Sequence, residues 1–212
     1  CFSLEAEEKS SLNLFWFLAF KSKAVEIIPS ESAWAIQIGI IRKLKGKNIL
    51  MKEALLYRKE GDRVVCTACV RYCRLTDKAI GFCGVRQRIG DKLFLLNYGR
   101  VIVANIDPIE KKPLFHFFPG SQVLSIGTTG CNLACKYCQN WDISQRRKVE
   151  GFEFSVEEAI ETALEYNCEG ISYTYNEPTI FIEYAYDVGR VAKKHGLFNT
   201  FVSNGYFSLE AI

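Results

Sequence analysis

One loop of eight residues, numbers 131–138, constrains this chain more than any other part of its sequence. It contains Cys131, Cys135 and Cys138, separated by three and then two residues, so that a single loop can wrap three thiols around one metal centre. A closed four-iron cluster normally takes four cysteine thiolates, and the next cysteine, Cys168, lies thirty residues further on. Three protein ligands leave one iron open for chemistry. Zinc loops are typically built from paired knuckles, so the spacing favours an open 4Fe–4S cluster over zinc.

The surroundings of this loop resemble those of a known enzyme family. Tyr137 stands directly before the last cysteine, as in the cluster loop of the radical S-adenosylmethionine (SAM) enzymes. A wider run is similar to the pyruvate formate-lyase-activating-enzyme-like branch, and within it to the radical SAM member of the AmmeMemoRadiSam system. That run comprises residues 107–114, 116–117, 119–121, 125–128 and 138–141. The resemblance extends from about Met51 to the C-terminus.

The resemblance implies an enzyme, an oxidoreductase-type chemistry and two cofactors. Cys131, Cys135 and Cys138 would hold a 4Fe–4S cluster, and the amino and carboxylate groups of SAM would chelate its fourth iron. Reductive cleavage of SAM would then generate a 5′-deoxyadenosyl radical that abstracts hydrogen from an unknown substrate, with the protein supplying geometry and exclusion of water. The resemblance also implies an electron donor such as a flavodoxin or ferredoxin, and a Memo-like partner protein.

The side chains that the resemblance places on SAM are Tyr137, Gly170, Asn176, Glu177, Ser203 and Asn204. Tyr137 would contact the adenine, and the Glu177 carboxylate is a natural partner for the ammonium group of SAM. The family has paired glycines beside this glutamate; they are missing here, and Gly170 takes part of their place. Ser203 and Asn204 would bind the ribose or carboxylate of SAM. Turn chemistry explains these last two residues equally well, and an exposed turn carboxylate is the alternative for Glu177.

A second set of four cysteines precedes the loop, with spacings of two, three and nine residues: Cys66, Cys69, Cys73 and Cys83. Gly81 and Gly84 bracket the last of them and permit the tight backbone that metal knuckles need. Four thiols suffice for a closed zinc site or for an iron–sulfur centre, and the spacing does not distinguish these. The alternative is a loop that is partly disulfide-bonded or carries free thiols. By contrast, the lone Cys168 is expected to be a small buried apolar residue.

Residues 1–50 differ from the rest of the chain because they have no recognisable counterpart. The only methionine is Met51, and the apolar stretch at residues 12–20 is too short to span a membrane. Acidic residues precede that stretch, contrary to the pattern of a signal peptide. We therefore expect residues 1–50 to be an unassigned extension, non-native or disordered, with Met51 as the natural start.

Residues 51–120 predict a small β-rich module that carries the four cysteines, followed by a connector. Gly90 and Asp91 form a two-residue hairpin signal between strands at residues 85–89 and 92–96. A further strand-like run covers residues 98–106, and we assign it to the same module.

Residues 121–212 predict an alternation of strand and helix. Strands are expected at residues 123–126, 171–175 and 198–202, and Ser155 with Glu158 forms a capping box at the start of a helix. Such an order implies right-handed parallel crossovers. It resembles the first part of the radical SAM (β/α) barrel, truncated at its C-terminus, and such a partial barrel is expected to leave an open strand edge.

The ends of the three strands carry the predicted site. Ligands bind at the C-terminal ends of parallel strands, and here those ends lead into the cysteine loop, residues 176–177 and residues 203–204. We therefore expect these groups to converge on one rim of the sheet.

Composition and charge exclude several other classes of protein. The formal net charge of +3 is too small to favour nucleic acid, and no stretch favours a membrane. Seven of the nine cysteines lie in the two clusters, which is typical of metal sites in a reducing, cytoplasmic interior rather than of a disulfide scaffold. Two alternative functions stay open: a non-catalytic iron–sulfur electron carrier and a zinc-binding interaction module.

Overall fold

The computed structural model describes residues 15–18 and 51–212. Its strands are β1 (Phe15–Leu18), β2 (Lys52–Glu53), β3 (Tyr57–Glu60), β4 (Arg63–Cys66), β5 (Arg74–Leu75), β6 (Arg86–Ile89), β7 (Lys92–Leu95), β8 (Arg100–Val101), β9 (Val103–Pro108), β10 (Gln122–Gly127), β11 (Phe152–Glu153), β12 (Gly170–Tyr173) and β13 (Phe198–Ser203). Its α-helices are α1 (Trp141–Ser144), α2 (Val156–Glu165) and α3 (Ile182–Lys194), and short 3-10 helices cover Ile109–Lys111, Pro178–Phe181 and Leu209–Ala211.

The largest sheet has five strands in the order β1, β13, β12, β10, β9. The pairs β10–β12 and β12–β13 are parallel, and α2 and α3 are the connecting helices. The alternation of three strands with helices expected after residue 121 is therefore confirmed, and the chain has the mixed α/β class predicted for it. The continuation of this sheet into a barrel stays a prediction.

Helices α2 and α3 pack on one face of this sheet because each has an apolar stripe. The predicted capping box of α2 is present: Ser155 accepts from the Glu158 N–H, and the Glu158 carboxylate accepts from the Ser155 N–H. Side chains from strands and helices form one core, which includes Leu124, Ile126, Ile171, Tyr173, Ala159, Ala163, Tyr184, Val188 and Phe201. The residues between them in each strand lie on the opposite face of the sheet, since side chains alternate along a strand.

Residues 52–95 form two small antiparallel sheets, with strand orders β2–β7–β6 and β3–β4–β5. The hairpin predicted at Gly90 and Asp91 is confirmed, because β6 pairs with β7 in antiparallel register around it. The predicted strand at residues 98–106 is divided in the structure. Residues 103–106 belong to β9, which pairs with β10 and so is part of the large sheet, whereas β8 pairs with β11. Apolar alternation identified the strand but could not identify its partner.

Next to β13 the sheet gains a further strand, because β1 pairs with β13 in parallel from Phe15 to Leu18. Sequence analysis assigned no element to residues 1–50, and these four residues form an edge strand; the remaining part of that segment lies outside the described residues. No helix in the described part of the chain is long and apolar enough to cross a membrane.

A buried cluster of charges fastens β9 to the connector that follows it. The Asp107 carboxylate accepts hydrogen bonds from Lys111 Nζ at 2.8 Å, Lys112 Nζ at 2.7 Å and the Tyr175 hydroxyl at 2.9 Å. Both Asp107 and Lys112 are buried. Burial by itself would raise the pKa of the Asp107 carboxyl, but the hydrogen bonds from the two lysines outweigh it and hold that pKa well below its usual range.

We expect Asp107→Asn to lower the free energy of unfolding at pH 7 by about 1.5–3 kcal/mol, because hydrogen bonds to a charged group are lost. The lowered pKa of Asp107 contributes stability above about pH 4, the unfolded value, and this contribution disappears as the pH falls further. The difference between wild type and variant should therefore shrink below about pH 4 in urea titrations at several pH values. A difference that stays constant down to low pH would contradict the assignment.

Candidate functional site

The cysteine loop begins directly after β10 and is tied to the end of β12 by Asn176. The Asn176 side chain accepts from the Thr128 N–H at 3.1 Å and donates to Thr128 Oγ1 at 3.0 Å and to the Gly130 carbonyl at 2.9 Å. All three polar partners are buried with it. Asn176 therefore fixes where the loop leaves the sheet, and the SAM contact that the resemblance implied for it stays a prediction.

Glu177 is buried, with 2% of its surface exposed, and its carboxylate is already bound by four donor groups. Oε1 accepts from the Thr179 N–H at 3.1 Å and its hydroxyl at 2.6 Å, and Oε2 accepts from the Asn204 N–H at 2.7 Å. The Ser203 hydroxyl lies 2.9 Å from Oε1. Burial raises the pKa of the Glu177 carboxyl, although these donors favour its ionised form. Binding of an ammonium group by Glu177 would require one donor to give way.

Asn204 connects the end of β13 to the cysteine loop itself. Its side-chain amide donates to Asn132 Oδ1 at 2.9 Å, and the Asn132 amide donates to the Tyr206 carbonyl at 3.3 Å. Asn132 directly follows Cys131, and the Cys131 thiol lies 3.7 Å from the Asn132 Oδ1 that accepts from Asn204. These hydrogen bonds join the segments that follow β10, β12 and β13, so the three strand ends meet on one rim as predicted.

The three thiols of the loop, on Cys131, Cys135 and Cys138, are all half-buried. Burial raises the pKa of the Cys131 thiol, and the Cys138 Sγ lies 3.4 Å from the hydroxyl of Ser144 in α1. As the side chains stand, no group of three or more His, Cys, Asp or Glu residues within 15–18 and 51–212 is arranged to hold a metal ion. Partly exposed thiols on a short loop can rotate toward a common point, and thiolates are the ligands of iron–sulfur clusters, so this donor set fits a cluster.

Three buried hydroxyls, two in the sheet and one in the loop, also fit a bound polar ligand. Ser172 and Thr200 stand side by side on β12 and β13, on the face of the sheet that the helices do not cover. Their hydroxyls, and that of Thr129 at the start of the loop, are buried without a hydrogen-bond partner among the described residues. Buried polar groups are usually paired, so unpaired hydroxyls on two adjacent strands and in the loop favour a ligand with hydrogen-bonding groups. In the sequence they are recognisable only as small polar residues inside or beside apolar strands.

Two other residues predicted to contact SAM, Tyr137 and Gly170, lie in surroundings that differ from each other. Tyr137 is 72% exposed on the rim, where it is accessible to a ligand. Gly170 lies at the opposite end of β12 from the cysteine loop, because it pairs with Val123 at the beginning of β10. A Cβ on Gly170 would lie 2.2 Å from the Phe198 ring, so the glycine is explained by packing. The structure does not bring Gly170 to the site, and the SAM-binding role expected for it is wrong.

The other four cysteines line one cavity beneath the loop. Cys66, Cys69 and Cys83 are buried and Cys73 is half-buried. Burial raises the pKa of the first two thiols and raises that of Cys83 to about 12. The four thiols share this cavity with Arg86 and with Asn132 of the cysteine loop. The two cysteine sets are therefore neighbours in the fold.

Sequence analysis missed Arg86, which is 1% exposed and forms a buried ion pair with Glu183 of α3. Arg86 Nη2 donates to the Glu183 carboxylate at 2.5 Å, and Nε donates to the Ile180 carbonyl at 3.0 Å. The same carboxylate accepts from the Leu55 N–H at 3.0 Å. These bonds attach the β-rich module to the α/β sheet beside the four thiols.

Gly130 marks the closest contact between the two cysteine regions. Its φ is +90°, and a Cβ at this position would lie 2.3 Å from the Cys83 carbonyl oxygen, which is backbone and cannot turn aside. Gly61 also has positive φ, at +60°, but nothing lies within 4 Å of a Cβ there. Gly61→Ala therefore measures the strain of a left-handed alanine alone, about 1–2 kcal/mol.

We expect Gly130→Ala to destabilise the protein by about 1–3 kcal/mol more than Gly61→Ala does, because the Cys83 backbone must move. Urea unfolding of the two variants measures this difference. Equal losses of stability in the two variants would show that the loop and the Cys83 knuckle are not in contact.

Comparisons with known proteins agree with the geometry of this rim. Residues 125–212 match the profile of the radical SAM superfamily. An uncharacterized protein of Methanocaldococcus jannaschii is 46% identical to the chain over 165 residues, which are 76% of this chain and 50% of that protein. The chain thus spans about half the length of this curated relative. The profile begins within β10 and includes the cysteine loop and both polar strand ends, so residues 125–212 form a radical SAM superfamily domain.

Proposed function

We propose that this chain is the SAM-cleaving part of an enzyme similar to the glycyl-radical-enzyme activases, within the AmmeMemoRadiSam group. A radical SAM domain implies a 4Fe–4S cluster, SAM and a source of electrons. When bound, these cofactors would supply a 5′-deoxyadenosyl radical, formed by one-electron cleavage of the sulfonium, that takes a hydrogen atom from a substrate. The single observation that carries the proposal is a three-thiol loop held by polar strand ends on one rim.

In this proposal the residues of the rim act in three ways. Cys131, Cys135 and Cys138 hold the cluster and leave one iron open. Asn176 and Asn204 fix the loop by hydrogen bonds to Gly130 and Asn132, respectively, and so keep the thiols in register with the strand ends. Such preorganisation avoids movement of ligands during the reaction.

The groups that would bind SAM are the unpaired hydroxyls and the exposed ring of Tyr137. Ser172, Thr200 and Thr129 offer hydrogen bonds to polar parts of the ligand, and the Tyr137 ring offers a surface to the adenine. Glu177 would join them by exchanging one of its present donors for the ammonium group.

The electron would come from a flavodoxin or ferredoxin, and a Memo-like protein would be the physiological partner, in the cytoplasm. The resemblance of residues 107–141 supports this part of the proposal. Co-purification of the complete protein with a Memo-like protein from the same cell tests it, with a variant lacking the three loop cysteines as control.

SAM cleavage is tested by anaerobic reconstitution of the complete protein with iron and sulfide, followed by reduction with dithionite in the presence of SAM. We expect 5′-deoxyadenosine and methionine in equal amounts. An electron carrier or a zinc-binding module predicts no 5′-deoxyadenosine at all, and that result from a fully reconstituted protein would reject the proposal.

A further inference from the structure

The four-thiol cavity beneath the cysteine loop has a size that limits what it can hold. Its volume is about 20 Å³, and Cys66, Cys69, Cys73 and Cys83 all contribute to its wall. A cavity of about 10–15 Å³ is the minimum for one water molecule, so this space has the size that suits a single ion. The thiols come from two separate knuckles, residues 66–73 and 81–84, that face each other across it.

The backbone around three of these thiols is arranged to support negatively charged sulfur. Burial raises the pKa of the Cys66, Cys69 and Cys83 thiols, and the backbone N–H groups two positions later, those of Ala68, Arg71 and Val85, act in the opposite direction and favour the thiolate. Hydrogen bonds from N–H groups to a charged acceptor are stronger than those to a neutral one. Donors that surround metal-binding side chains in this way orient the ligands and tune their basicity. The surroundings of these three thiols are therefore typical of metal ligands.

Arg86 provides a second, independent indication of a ligand in this cavity. Two of its three nitrogens are used, by Glu183 and by the Ile180 carbonyl, whereas Nη1 is buried with no hydrogen-bond partner among the described residues. Leaving a buried charged donor unpaired is unfavourable. A set of four thiolates around a divalent ion carries a net charge of about −2 and has sulfur acceptors, so it would satisfy both the charge and the donor of Arg86.

We propose that Cys66, Cys69, Cys73 and Cys83 hold one zinc ion in a tetrahedral, closed site. The ligand number and type match structural zinc sites, and the small cavity favours a single ion over a cluster. Among single divalent ions, zinc binds such ligands more tightly than iron(II) does. Binding draws the two knuckles together and releases the thiol protons.

The zinc ion would brace the cysteine loop, because the same knuckles contact that loop. Asn132 lines the zinc cavity, and the Arg71 Nε donates to its carbonyl at 2.5 Å. The Arg71 guanidinium also stacks on the Phe82 ring, 3.6 Å from its centroid, which links one knuckle to the other. The Cys83 carbonyl abuts Gly130 at the start of the loop. Zinc loss should therefore loosen the loop that holds the cluster.

The test is metal analysis of the complete protein, purified anaerobically, by inductively coupled plasma mass spectrometry together with a sulfide assay. We expect one zinc per chain, and at least a tenfold lower zinc content in Cys83→Ser. Cys168→Ser is the matched control, because this thiol is also buried but lies in the α/β core, and its zinc content should equal that of wild type. Cobalt added to the zinc-free protein should give the absorption bands of tetrahedral cobalt with sulfur ligands, and Cys83→Ser should abolish them.

The zinc site and SAM cleavage can be tested independently of each other. The Cys135→Ala variant should lose cluster iron and SAM cleavage yet retain its zinc, so that failure of SAM cleavage leaves the zinc result intact. Absence of zinc in the wild type, iron in this site in its place, or additional sulfide that disappears with Cys83→Ser would each overturn the zinc assignment.

Discussion

Replacement of Cys135 by alanine is expected to lower the rate of 5′-deoxyadenosine formation by more than about 100-fold, because changes to groups that merely support metal ligands already lower activity by about 10- to 100-fold. Cys135 stands in the middle of the loop, and its carbonyl accepts from the Cys138 N–H at 3.1 Å, so that the turn itself survives loss of the thiol. With two ligands left, the cluster cannot be retained in a defined geometry.

This prediction is measured by chromatography of the nucleosides formed after anaerobic reconstitution and reduction. Cys168→Ala is the control, since Cys168 is buried in the core, 5% exposed, and contributes to neither cysteine set. It should keep the wild-type rate while unfolding at a somewhat lower urea concentration. A Cys135→Ala protein with undiminished product would show that the cluster is held elsewhere.

The second large effect is expected for Glu183→Gln, which should lower the free energy of unfolding by about 3–5 kcal/mol, because it leaves the buried Arg86 guanidinium without its countercharge. Both side chains of this pair are almost completely inaccessible to solvent, at 2% and 0% exposure. The amide of glutamine can replace only part of the hydrogen bonding to Arg86 Nη2 and to the Leu55 N–H.

Urea unfolding of the metal-free protein measures the effect of Glu183→Gln. Glu53→Gln provides the matched control, because Glu53 forms an ion pair with Lys92 on the surface, with both side chains well exposed. Exposed pairs contribute little to stability, so the control should unfold as the wild type does. Equal behaviour of the two variants would mean that the pair of Arg86 and Glu183 does not join the β-rich module to α3.

The features that sequence analysis predicted correctly are those encoded by neighbouring residues. Ser155 and Glu158 stand three positions apart and form the capping box wherever the helix lies, and Gly90 with Asp91 forms its hairpin turn from local backbone preferences. The convergence of the strand ends followed from topology, because parallel strands joined by helices place their C-terminal ends on one rim.

The features that could not be predicted depend on residues distant in the chain. Arg86 and Glu183 are 97 positions apart, and no local pattern distinguishes a buried arginine from a solvated one. The partner of β9 depends on which edge of the large sheet is accessible, and the same holds for β1. Gly170 was misassigned because a glycine near a motif in sequence can lie at the far end of its strand in space.

The most direct test of the central claim is electron paramagnetic resonance of the reduced cluster in the complete, anaerobically reconstituted protein, recorded before and after addition of SAM. We predict a 4Fe–4S signal whose g values shift on addition, because Cys131, Cys135 and Cys138 leave one iron free to take the amino and carboxylate groups of SAM. A signal that SAM leaves unchanged, from a cluster with four protein ligands, would contradict the claim.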